Sequence, residues 1–160
     1  MPSDARDAPR RDPKATVDLP FRTPLVVRFG DVDPAGIVYY PRFTHFCHVA
    51  MEEFFDAVVG FDYPRLLNEL RLGLPTVRLE CDFRLPLRYG EKAAIEVEVT
   101  RVGSASIEWR HRFLRQGGGE LVAECRVVTV CVNMDTWRKQ PVPGWLRDRL
   151  GVPAARAGAG

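Results

Sequence analysis

No stretch of this 160-residue chain stays apolar long enough to cross a bilayer, and no hydrophobic signal-peptide core follows Met1. Nothing directs export, so the expected location is cytoplasmic. A charge excess is missing as well. Lys and Arg number 23 against 21 Asp and Glu, a net charge of +2, and the basic residues are spread along the chain. A nucleic-acid partner is not expected. Cysteine is scarce. Cys47, Cys81, Cys125 and Cys131 sit in apolar segments without a Cys-x-x-Cys pair, and His45 and His48 lack the i, i+4 spacing of a helical metal site. Buried, reduced thiols and no bound metal or other cofactor are expected. The chain has no Gly-x-Ser-x-Gly, which argues against the nucleophile elbow of an α/β-hydrolase. Neither an internal repeat nor a second domain is evident.

What is present suffices for one domain with a real core, since 46% of the residues are hydrophobic. Residues 1–18, rich in Pro, Arg, Asp and Ala, have no apolar period and read as a disordered tail. The domain spans 19–152, and 153–160 read as a mobile Ala/Gly tail. Leu25 to Phe29 reads as a strand. After Pro41 the period lengthens. Phe43, Phe46, Cys47, Ala50, Phe54, Ala57 and Val58 recur at steps of three and four, with His45, Glu52 and Asp56 opposite them, and Gly60 supplies a stop. A second short helix is read at 62–70. Beyond it the period becomes two, in half-buried strands through Val77 to Leu85, Ile95 to Val99 and Ile107 to Phe113, with His111 interrupting an apolar face. Gln116-Gly117-Gly118-Gly119-Glu120 reads as a hairpin loop, Leu121 to Val132 as one last long strand, and 144–150 as a terminal helix. One long helix followed by an antiparallel meander is an α+β order.

The chemistry concentrates in Phe29-Gly30-Asp31-Val32-Asp33-Pro34-Ala35-Gly36-Ile37-Val38-Tyr39-Tyr40-Pro41. Asp33 precedes a proline and so takes extended backbone, and Ala35-Gly36 allows a tight turn. Pro41 suits the first turn of a helix, where its missing N–H costs nothing. The free amides near Tyr40 and the positive end of the helix dipole can stabilise negative charge on an oxygen. A carboxylate and an oxyanion donor thus lie a few residues apart. The same pairs also serve as ordinary turn chemistry, and Asp31 is free either to orient the turn or to face solvent.

This segment, continued through Arg42-Phe43, resembles the signature of the 4-hydroxybenzoyl-CoA thioesterase family, and the likeness continues more weakly to about Met134. The resemblance implies a hot-dog fold, a curved antiparallel sheet wrapped around one long helix. It also implies hydrolysis of an acyl-CoA, possibly aromatic, to free acid and CoA. By the same resemblance Asp33, and not Asp31, is the catalytic carboxylate, either attacking the thioester or activating water, and the Tyr40 amide polarises the carbonyl. His48 would meet the acyl group, and a histidine there departs from members specific for 4-hydroxybenzoyl. Apart from the resemblance, the rings of Tyr39, Tyr40, Phe43 and Phe46 could line a pocket for an aryl acyl group, although aromatic residues at helical spacing are more often core. The family's basic run at the phosphate-binding turn is reduced here to Arg101, with Arg88, Arg110 and Arg112 as substitutes. Glu52 is the reserve carboxylate, since another hot-dog branch carries its acid on the central helix. A homodimer or homotetramer is implied. A thioesterase acting on acyl carrier protein and a non-catalytic acyl-CoA-binding module are the alternative readings.

Overall fold

The computed structural model describes residues 18–152. The C-terminal tail and all of the N-terminal tail before Asp18 lie outside them. Five strands form one antiparallel sheet: β1 (Phe21–Val26), β3 (Thr76–Phe83), β4 (Lys92–Val102), β5 (Ser106–Arg115) and β6 (Leu121–Val130), in the order β1-β4-β5-β6-β3. Across its inner face lies α1 (Pro41–Phe54), whose buried residues Phe43, Phe46, Cys47, Ala50, Met51 and Phe54 form the stripe that the helical period predicts. Phe54 and Phe55 meet Trp109 of β5, and the Phe43 ring stands edge-on to Phe113 at 5.0 Å. These contacts hold the helix against the sheet. The outer face carries charge ladders instead: Glu96 takes both Arg22 at 2.8 Å and Arg112 at 3.0 Å, and Arg110 pairs with Glu98. This is the sheet wrapped around one helix that the resemblance implies.

The helix ends in a π-helical turn, Phe55–Val59, and Gly60 stops it at φ 68°, in the left-handed region where only glycine is unstrained. Short elements close the ends: α2 (Tyr63–Asn68), α3 (Gly144–Arg149), and a small sheet of β2 (Leu72–Gly73), β7 (Val132–Asn133) and β8 (Arg138–Lys139).

Four expectations are corrected. The first strand begins at Phe21 and contains Pro24, which a sheet edge tolerates because its missing N–H would face away from β4. The last long strand breaks at Cys131 into β6 and β7, which join different sheets. β3 alternates as expected but is not half-buried in the single subunit: Val77 is 62% exposed and Phe83 50%, because β3 is the other edge. Finally, two of the four thiols are not reduced. Cys81 and Cys125 face each other in register across β3 and β6 with Cα atoms 4.1 Å apart and form a disulfide. Cys47 and Cys131 are free and buried as expected, each thiol pushed up to about 12 by desolvation.

Candidate active site

Between β1 and α1 the chain folds into a narrow hairpin. Val32 bridges Val38, the Asp33 N–H donates to the Ile37 carbonyl at 3.0 Å, and the Gly36 N–H returns to the Asp33 carbonyl at 2.9 Å. At its base the Tyr39 N–H donates to the Asp31 carbonyl at 2.9 Å. Bonds from Val38 N–H to the Leu87 carbonyl at 2.8 Å and a bridge from Ile37 to Arg88 tie this hairpin to the segment linking β3 and β4.

The two aspartates of the motif have opposite environments. Asp31 is buried, and both of its carboxylate oxygens are taken: Oδ1 accepts from Arg42 Nε at 3.0 Å and Nη2 at 2.7 Å, and Oδ2 accepts from the Arg28 N–H at 2.8 Å. Asp33 is half-buried. Its Oδ1 accepts only the Ala35 N–H at 2.9 Å, an arrangement that fixes the carboxylate plane, and Oδ2 has no partner among the described residues. A reacting carboxylate needs an uncommitted oxygen, and only Asp33 has one.

Tyr40 occupies the N-cap of α1 with helical backbone angles and no side-chain cap. Pro41 has no N–H, while the N–H groups of Arg42 and Phe43 donate to the carbonyls of Tyr39 and Tyr40 at 2.8 and 3.2 Å. Among the described residues no acceptor meets the Tyr40 N–H, so the first turn leaves it as an available donor. It lies at the positive end of a 14-residue helix, one residue beyond the hairpin that carries Asp33.

The remaining site candidates are spread out. Tyr39 is exposed beside this donor, its ring edge-on to Tyr40 at 5.3 Å, whereas Phe43 and Phe46 belong to the core. His48 lies two turns into α1, about 12 Å along the axis from Tyr40. It is exposed, 3.0 Å from Glu52 and edge-on to Tyr63 at 5.5 Å. Glu52 is farther still, about 18 Å along the helix from Tyr40, and so stands apart from the loop. Arg101 lies near the far end of β4 from Lys92, the residue paired with the end of β1. At about 3.3 Å per strand residue that is roughly 30 Å. Arg101 also pairs with Glu108, and Arg110 and Arg112 are engaged on the outer face of the sheet. Arg88 is the substitute that the fold brings to the loop, and its guanidinium has no partner among the described residues.

Sequence reasoning gave Arg42 no role. A signal for it exists: a guanidinium in the first turn of a helix opposes the helix dipole and calls for a carboxylate nearby.

Residues 27–150 match the model of the thioesterase-like superfamily. A 1,4-dihydroxy-2-naphthoyl-CoA hydrolase of Synechococcus elongatus is 29% identical over 130 residues, covering 81% of this chain and 93% of that protein. Among solved structures, a gentisyl-coenzyme A thioesterase superposes with a TM-score of 0.72 at 28% identity, over 79% of this chain and 98% of the other. A thioesterase-superfamily protein of Jannaschia sp. CCS1 reaches a TM-score of 0.79 at 27% identity, over 89% and 99% of the two chains.

Proposed function

Since the chain belongs to the thioesterase-like superfamily, we propose that it hydrolyses an aromatic acyl-CoA with Asp33 as the catalytic carboxylate and the Tyr40 amide as oxyanion donor. The single observation that carries the assignment is the contrast between the aspartates: Asp31 is consumed by three donors, and Asp33 keeps a free oxygen beside a helix start with a free N–H. Attack on the thioester carbonyl by water, activated by Asp33, or by Asp33 itself gives a tetrahedral centre whose oxygen takes the negative charge. The Tyr40 N–H then acts where that charge develops, an effect commonly worth about 3 kcal/mol per donor. Collapse of the centre breaks the C–S bond and expels the CoA thiolate, and hydrolysis leaves the acyl group as free acid. A thiolate leaves readily, so these two groups suffice.

The aromatic acyl group is supported by the relatives named for naphthoyl-CoA and gentisyl-CoA and by the exposed rings of Tyr39 and Tyr40 beside the donor. The same names favour CoA over a carrier-protein thioester. Within one subunit Arg88 is the arginine suited to the CoA phosphates. Arg101 and His48 fit the reading only in a site shared with a second copy. Such a copy belongs to the proposal, a homodimer or a homotetramer built on it, because Val77, Leu79 and Phe83 of β3 stay exposed in the single subunit. A cytoplasmic location goes with a CoA substrate, and there the Cys81–Cys125 bond would stand against a reducing thiol pool.

The test is turnover on a panel of aryl-CoA and alkyl-CoA thioesters together with Asp33→Asn, which keeps the turn and removes the charge. Turnover should fall at least on the order of a hundredfold with acyl-CoA affinity and melting temperature retained. Near-normal turnover in the folded variant would remove Asp33 from the mechanism.

A further inference from the structure

We infer that Asp31 and Arg42 form a positioning clamp that sets the distance between the Asp33 carboxylate and the Tyr40 amide; the inference rests on the reading of those two groups given above. They belong to separate pieces of backbone, a hairpin arm and a helix start. Asp31 is the residue that holds both pieces. Its carbonyl receives the Tyr39 N–H at 2.9 Å, one residue before the donor, and its carboxylate receives Arg42, the second residue of α1, through two nitrogens. Its other oxygen closes the 3-10 turn Phe29–Asp31 on the Arg28 N–H.

Arg42 is itself braced. Its guanidinium lies 5.7 Å from the centroid of the Phe46 ring, one turn further along α1, and Phe46 is part of the core. The strut therefore runs from the packed helix through a planar, two-point contact to the hairpin two residues before Asp33. A carboxylate only 4% exposed is costly to bury unless its charge is paired and both its oxygens accept hydrogen bonds, and here Arg42 and the Arg28 N–H supply three. That requirement gives the loop one low-energy position relative to the helix. A misplacement of about 1 Å between reacting groups commonly costs on the order of a hundredfold in rate.

Three proteins test this: Asp31→Asn, which leaves the half-buried Arg42 facing a neutral amide; Arg42→Lys, which keeps the charge and loses the two-point contact; and Asp33→Asn as reference. In Asp31→Asn and Arg42→Lys, kcat should fall roughly ten- to a hundredfold with KM within about threefold. Amide hydrogen exchange over residues 28–43 should quicken at least about tenfold while residues 46–54 exchange as before. Should Asp31→Asn fail to fold, Arg42→Lys carries both readouts. Unchanged exchange in a folded variant overturns the clamp, and so does faster exchange with unchanged kcat. Full turnover in Asp33→Asn, or an unaltered protein silent on the whole panel, would instead count against the thioesterase assignment. Exchange would still decide whether Asp31 holds the loop.

Discussion

Two aspartates two residues apart illustrate what a residue's neighbours decide. The turn around Asp33 is local, built from Asp-Pro-Ala-Gly, and so was legible in the sequence. The fate of Asp31 was not, because it depends on Arg42, eleven positions away and reachable only once the helix has formed. His111 shows the same dependence. It is a core residue, as its place in an apolar alternation suggests, but among the described residues neither ring nitrogen has a partner in full hydrogen-bond geometry, and the Cys47 backbone meets the ring only weakly. Its row across the sheet is Phe21, Val97, His111, Cys125 and Cys81, with Cys47 of α1 behind it. Burial lowers the imidazole from 6.5 to about 4, partly offset by the Cys47 carbonyl. The unfolded chain therefore takes up this proton before the folded one does. Stability present above pH 6.5 is lost as the pH falls and stops falling below about 4. Between pH 7.5 and 5 the group should cost about 2 kcal/mol. Urea unfolding of His111→Leu at those two pH values should show a drop smaller by that amount, and parallel behaviour of the two proteins would refute the assignment.

At the scale of elements, α1 was the most legible part of the fold, because a helix reports its buried side through its own period. Its stop was legible too. Gly60 adopts a left-handed conformation that an L side chain enters at a cost of about 1 kcal/mol or more, so Gly60→Ala should lower the urea-unfolding free energy by at least about that amount. Asparagine, which tolerates this region better, should lose less. An alanine variant as stable as the original protein would contradict the role given to Gly60. Strands were read less well, for a physical reason. A period of two reports that a strand has an apolar side without reporting what covers it. The apolar residues of β4 and β5 are covered by α1, whereas in β3 Cys81 packs on the core and Phe83 touches Phe43 but Val77, Leu79 and Phe83 stay exposed. The Cys81–Cys125 pair was invisible for a related reason, since it depends on the register between strands whose cysteines are 44 residues apart.

For the whole molecule, the uncovered strand is the feature on which the proposed assembly rests. An exposed edge with Val77, Leu79 and Phe83 along it is a liability that folded proteins remove by pairing or covering. Light scattering should return a dimer or larger, and Val77→Lys, placing a charge in the contact, should weaken association at least about tenfold. A stable monomer of the unaltered protein at working concentration would refute the proposed assembly and weaken the shared-site role of Arg101 and His48. The open edge of β3 also implies a dependence on quantity. If a second copy completes the fold, the folded fraction follows mass action, so the melting temperature should climb as protein is concentrated. Dilution would then silence the enzyme with no inhibitor present, making the abundance of the chain its own on-switch.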